Sequence, residues 1–170
     1  DTPPIPLDAD KIVLDSRTIQ TVDVIRNILY ERRDPSKPRR YPNVKTLSLW
    51  NMEHAALRDL IQDGGRCFPA AERLNLSFVE AHDHPTLEAF SHAPTPWSSL
   101  CYLHIDLSHQ AGASILDLLW KALTTLDDPA IFPNLEECAY PLWPDHALGF
   151  LTHYGEFMPS LGHLIINPIM

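Results

Sequence analysis

The chain has 170 residues, 45% of them hydrophobic, which is enough to bury a substantial core within one structural unit. Sixteen prolines against six glycines exclude collagen-like and Gly/Ser-rich disordered classes, because prolines spaced between apolar runs act as punctuation. The formal charge of −9 is uneven: residues 1–40 carry eight Lys/Arg against seven Asp/Glu, and residues 41–170 five against fifteen, so the acidic body is unsuited to nucleic-acid phosphates.

The first apolar phrase is Ala9-x-x-Ile12-x-Leu14, a short strand pattern. Apolar residues then return at three and four positions from Thr18 to Tyr30 (Ile19, Val22, Ile25, Ile28, Leu29), which predicts a helix. The run Glu31-Arg32-Arg33-Asp34-Pro35-Ser36-Lys37-Pro38-Arg39-Arg40 reads as a solvated loop in preference to a phosphate or localisation patch. Next comes Tyr41-Pro42-Asn43-Val44-x-x-Leu47-x-Leu49, a strand introduced by an aromatic-proline turn. A second helix is predicted over Glu53–Gln62, with Gly64-Gly65 as its C-terminal stop. The phrase recurs as Phe68-Pro69-x-Ala71-x-x-Leu74-x-Leu76, then as Trp97-x-x-Leu100-x-x-Leu103-x-Ile105. It returns as Phe132-Pro133-Asn134-Leu135-x-x-Cys138-x-Tyr140 and Met158-Pro159-x-Leu161-x-x-Leu164-x-Ile166. Helical periodicity fills the gaps at Pro85–His92, Ala113–Leu126 and Asp145–Phe157.

The markers Ile12, Leu47, Leu74, Leu103, Cys138 and Leu164 are separated by 35, 27, 29, 35 and 26 residues, the self-similarity of a repeat array in the L-x-x-L-x-L form. Six strands alternating with five helices imply parallel pairing. A doubly wound sheet would call for Gly-rich strand-to-helix turns, and none is present. The expectation is therefore an α/β fold: a single leucine-rich-repeat domain over residues 1–170, a right-handed short horseshoe solenoid of about six degenerate repeats. Its parallel sheet would line the concave side and its helices the convex side. The chain opens on Asp1, which suggests a processed chain or a fragment of a longer one.

The phrase resembles the leucine-rich repeats of fungal F-box/LRR proteins from about residue 9 to the end. That resemblance implies a substrate-binding arm of a ubiquitin-ligase adaptor, although no F-box-like stretch occurs here. The chain also departs from the common repeat: the asparagine expected five residues after each middle leucine is replaced by Met52, Val79, Ser108, Trp143 and Ile169.

If Leu47 and Leu49 face inward, the alternate residues form the opposite face, and the candidate binding residues are Trp50, Arg73, Tyr102, His104, Asp106 and Glu137. Their mixed charge and aromatic content fit a protein or peptide ligand. No nucleic-acid or membrane partner, cofactor, metal or catalytic residue is assigned. His82-Asp83-His84, with Glu80 nearby, could approach zinc, but the set is incomplete and reads better as loop composition. Cys101 and His104, three apart on one strand pattern, would point to opposite faces. A triad from Ser98, Ser99, Asp106, Ser108 and His109 rests on spacing alone. The leading expectation is a non-enzymatic recognition module. The alternatives are a scaffold piece of a longer solenoid and a hydrolase or metal-dependent enzyme using the His-rich loops. Three cysteines in unrelated contexts, with no signal or membrane-span pattern, point to reduced thiols in a cytoplasmic or nuclear protein.

Overall fold

A computed structural model describes residues 3–15, 21–52, 54–78, 92–106, 131–140, 155 and 158–166. The described residues form an α/β unit with strands β1 Lys11–Asp15, β2 Thr46–Met52, β3 Arg73–Phe78, β4 Tyr102–Asp106, β5 Glu137–Tyr140 and β6 His163–Ile166. Helix α1, Thr21–Leu29, follows β1, and α2, His54–Cys67, follows β2.

All six strands lie in one sheet in chain order, and every pairing is parallel. Register aligns the repeated phrase position for position: Ile12 pairs with Leu47, Leu47 with Leu74, Leu74 with Leu103, Leu103 with Cys138, and Cys138 with Leu164. A one-residue slip would turn every leucine to the other face, so burying one face specifies the register. The inward row is buried from Ile12 through Cys138, and Leu164 packs partly buried against it.

The turn before each strand explains the aromatic-proline element. Phe68, Trp97, Phe132 and Met158 each accept a bond at their carbonyl from the N–H three residues on, at 3.1–3.3 Å. Proline at the following position pre-sets φ for such a turn at Pro69, Pro133 and Pro159, while Ser98 stands there in the third copy. The ring side chains stack between repeats: Tyr41 on Phe68 at 5.3 Å, and Phe68 on Trp97 at 6.4 Å. Just ahead of the strands, single carbonyls on Asp10, Lys45, Glu72, Cys101 and Glu136 each take two N–H donors from the next copy. Ser99 Oγ to Pro69 O (2.7 Å), Asn134 Nδ2 to Ser98 O (2.6 Å) and Ser160 Oγ to Pro133 O (2.7 Å) tie successive turns together. These orphan backbone groups are thereby satisfied without the repeat asparagine.

Both helices join the core that the inward strand residues form, α1 through Ile25, Ile28 and Leu29, and α2 through Ala56, Leu57, Leu60 and Ile61. The last turn of α1 is capped from the basic run. Arg39 Nε donates to Asn27 O (3.1 Å) and Tyr30 O (3.0 Å), and Tyr41 Oη to Ile28 O (2.8 Å). Carbonyls at a helix C-terminus lack intrahelical partners and favour a cation, which is why Arg39 is 6% exposed while the rest of its run is solvated or half-buried.

The second helix corrects the sequence expectation. It extends to Cys67 and runs through Gly64-Gly65, which therefore are no stop. They are places of close approach: a Cβ at Gly64 would lie 2.1 Å from the Trp97 ring, and one at Gly65 2.5 Å from Thr95 O and 2.6 Å from Pro96 O. The expected helices over 85–92, 113–126 and 145–157 lie outside the described residues apart from His92 and Gly155.

Candidate functional site

The outward sheet face carries most of the residues expected to bind a ligand. Three levels run across it. The first aligns Lys11, Thr46, Arg73, Tyr102, Glu137 and His163, and the second Val13, Ser48, Asn75, His104, Ala139 and Ile165. At the third, Asp15 pairs with Trp50 and Ser77 with Asp106.

Arg73, Tyr102 and Glu137 are brought together in one row. The Arg73 guanidinium lies 4.1 Å from the centroid of the Tyr102 ring, a cation–π contact that holds the two long side chains together. His104 joins them, its ring 6.5 Å from Tyr102. Trp50 stands at the third level, four residues beyond Thr46 along β2, about 13 Å at the strand rise. Asn51 follows it at φ 57°, a left-handed conformation that asparagine tolerates, and the β2–β3 register shifts there. That bulge is pinned by Asn51 N–H to Ser77 Oγ (2.8 Å) and Asn51 Nδ2 to Asp15 Oδ1 (2.7 Å). Asp106 has the backbone position expected of it, opposite Ser77.

Apolar and small residues surround the cluster. Val13 is 54% and Ile165 40% exposed at the two ends of the second level, whereas Ser48 and Ala139 are buried there. Asn75 Nδ2 donates to Ser48 Oγ (3.0 Å), which completes a polar step between Val13 and His104.

A second polar site escaped the sequence reading. An open groove of about 1000 Å³ lies between α1, the 31–38 loop and α2, with Asp59 and Asp63 buried in its wall. Asp59 is held by Arg26 Nε (2.9 Å) and Arg58 (2.7 Å). Asp63 accepts bonds from the Tyr30 hydroxyl and Gln62 Nε2 (3.3 Å), and pairs with His92 Nε2 at 2.9 Å. Burial would raise the Asp63 carboxyl, but the donors Tyr30, His92 and Gln62 outweigh it and hold the group below its ordinary value. Desolvation, reinforced by the bond to Asp63, pushes the Tyr30 phenol well above its ordinary range. Beside the adjacent Arg58 and Gln62, the partners Arg26, Tyr30 and His92 lie 29 to 33 residues away in sequence, beyond the reach of local spacing. The one readable signal was an Asp pair four apart on α2, Asp59 and Asp63.

Chemically the groove resembles an ion-pair clamp more than a reaction centre. His92 is oriented by Asp63, as a general base would be, yet among the described residues its bonds go only to Asp63 and Gln62 and reach no hydroxyl or thiol nucleophile. Cys101 lies just before β4, and its thiol donates to Glu72 O at 3.3 Å. Among the described residues no three His, Cys, Asp or Glu side chains are grouped to hold a metal, and no helix is long and apolar enough to cross a membrane. The His82-Asp83-His84 segment and Glu80 lie outside those residues, as do Ser108 and His109.

Comparison with known proteins gives no match: no family model matches the chain, and neither curated proteins nor solved structures resemble it significantly.

Proposed function

We propose that this chain is a short leucine-rich-repeat-like solenoid that recognises a protein or peptide on its exposed sheet face, the concave side of that architecture. The observation that carries the reading is the Arg73–Tyr102 stack beside His104 and Glu137, on the face opposite the one packed by both described helices. Arg and Tyr are the side chains most often responsible for interface energy, because each combines a large flat contact area with directed polar groups. Arg73 and Glu137 on either side of Tyr102 make the surface mixed in charge, suited to polar peptide chemistry and poorly suited to a uniform phosphate backbone. In-order parallel strands with a repeated turn support the solenoid, since each copy needs only its neighbours to complete its bonds. By the F-box/LRR resemblance, such a surface would be the substrate-holding arm of an adaptor.

Affinity purification followed by mass spectrometry would identify the partner, and a quantitative binding assay would then locate its site. The Arg73→Ala, Tyr102→Ala double variant is expected to lose binding with thermal stability nearly unchanged, whereas Arg66→Ala on the groove is expected to bind normally. Normal binding by the double variant refutes the sheet-face assignment.

A further inference from the structure

The loop between α1 and β2 carries a pattern that neither the core nor the sheet face explains. In Arg32-Arg33-Asp34-Pro35-Ser36-Lys37-Pro38, Ser36 has an arginine three residues upstream, and no other serine in the chain does. Ser36 is exposed, as are Arg32, Arg33 and Lys37. The loop is folded on itself by Asp34 N–H to Glu31 O (3.2 Å), Lys37 N–H to Asp34 O (3.0 Å) and Glu31 N–H to Lys37 O (3.0 Å), closed by a bridge between Tyr30 and Pro38. At its tip the Asp34 carboxylate accepts from both the Ser36 hydroxyl (2.5 Å) and the Ser36 N–H (3.2 Å).

We propose that Ser36 is a phosphoacceptor for serine kinases that read an arginine three residues upstream through a carboxylate in their substrate cleft. The reading is independent of the sheet-face function. Guanidinium pairs bidentately with carboxylate, so one arginine at a set distance from a hydroxyl suffices to place that hydroxyl at the nucleotide. In the transfer, Ser36 Oγ forms a bond to the γ-phosphorus of ATP, and the bond from that phosphorus to the β,γ-bridging oxygen breaks. ADP leaves, and the hydroxyl proton passes to the carboxylate base of the kinase. A kinase cleft takes its substrate extended, so the turn must open. Only a few backbone bonds and exposed side chains oppose that, so the loop opens at low local cost.

The product would rearrange the loop. Phosphorylation removes the hydroxyl donor that Asp34 now accepts and sets a charge of about −2 beside that carboxylate, so the Asp34–Ser36 contact gives way to repulsion. Cations stand around the new group: Arg32, Arg33 and Lys37 in the loop, and Arg58 and Arg66 in the wall of the groove that Ser36 itself lines.

The test uses the folded chain with the active catalytic domain of a calmodulin-dependent serine kinase and labelled ATP, with the acceptor mapped by peptide mass spectrometry. Phosphate is expected on Ser36, with none at that position in Ser36→Ala. Transfer should be roughly tenfold slower in Arg33→Ala, the loss of one charge-assisted contact. Circular dichroism on both exposed-site variants keeps folding separate from acceptance. No transfer to the folded chain, transfer only to another residue, or an unchanged rate in Arg33→Ala would overturn the proposal.

Discussion

Gly65→Ala sets two opposing effects against each other. Helix propensity favours the change: α2 runs through this position, and replacing an interior helical glycine with alanine should stabilise by about 1 kcal/mol. Packing opposes it, because the new methyl would lie 2.5 Å from Thr95 O and 2.6 Å from Pro96 O, roughly an ångström inside van der Waals contact. Both obstacles are backbone atoms that cannot swing aside as a side-chain tip can, and the segment holding them is tethered by Thr95 N–H to Gln62 O (3.1 Å) and Trp97 N–H to Ile131 O (2.8 Å). Overpacking of this kind costs about 1–3 kcal/mol and, with the tethers strained, sits toward the upper end. The net expectation is destabilisation by about 1–2 kcal/mol, read as a lower urea midpoint with an unchanged m-value. A midpoint that rises in Gly65→Ala would refute the close approach of α2 to the 95–97 segment and restore the glycine pair as a mere helix end.

Leu74 and Leu103 are buried and paired on adjacent strands, so either Leu→Ala change is expected to cost about 2–5 kcal/mol in chemical denaturation; losses below about 1 kcal/mol in both would break the register. Burial pushes the Cys67 and Cys138 thiols up to about 12, so in the native protein a thiol reagent at neutral pH should label Cys101 first and the other two only on unfolding. Fast labelling of Cys138 would contradict its inward place beside Leu103. The Asp63 carboxyl is held below its ordinary value of 3.8, so its contribution is complete above pH about 4 and is lost as pH falls through the lower folded value. Urea midpoints of the wild type should therefore fall on acidification below pH about 4, and those of Asp63→Asn, already lower at neutral pH, should fall less; parallel curves would remove Asp63 as a linkage site.

The repeated phrase was enough to read the six strands, their parallel pairing and their register. A row of leucines spaced for one face can be buried in only one alignment, and Leu47 with Leu74 and Leu103 takes it. The outward set followed from the same alternation, so Arg73, Tyr102 and Glu137 were legible as a row before any coordinate. What alternation could not supply was local irregularity: the left-handed Asn51 and the β2–β3 register shift between Leu49 and Met52. Gly64-Gly65 misled for a related reason, since glycine serves equally as a helix end and as room for a neighbour, and only the position of Trp97 and the Thr95–Pro96 backbone distinguishes the two. The Tyr30–Asp63–His92 clamp and the burial of Arg39 belong wholly to tertiary structure. Local patterning reports which faces are apolar, because burial repeats with the period of the backbone; a buried charge survives only where particular partners converge from distant segments, and their meeting is decided by how α1, α2 and the turns pack.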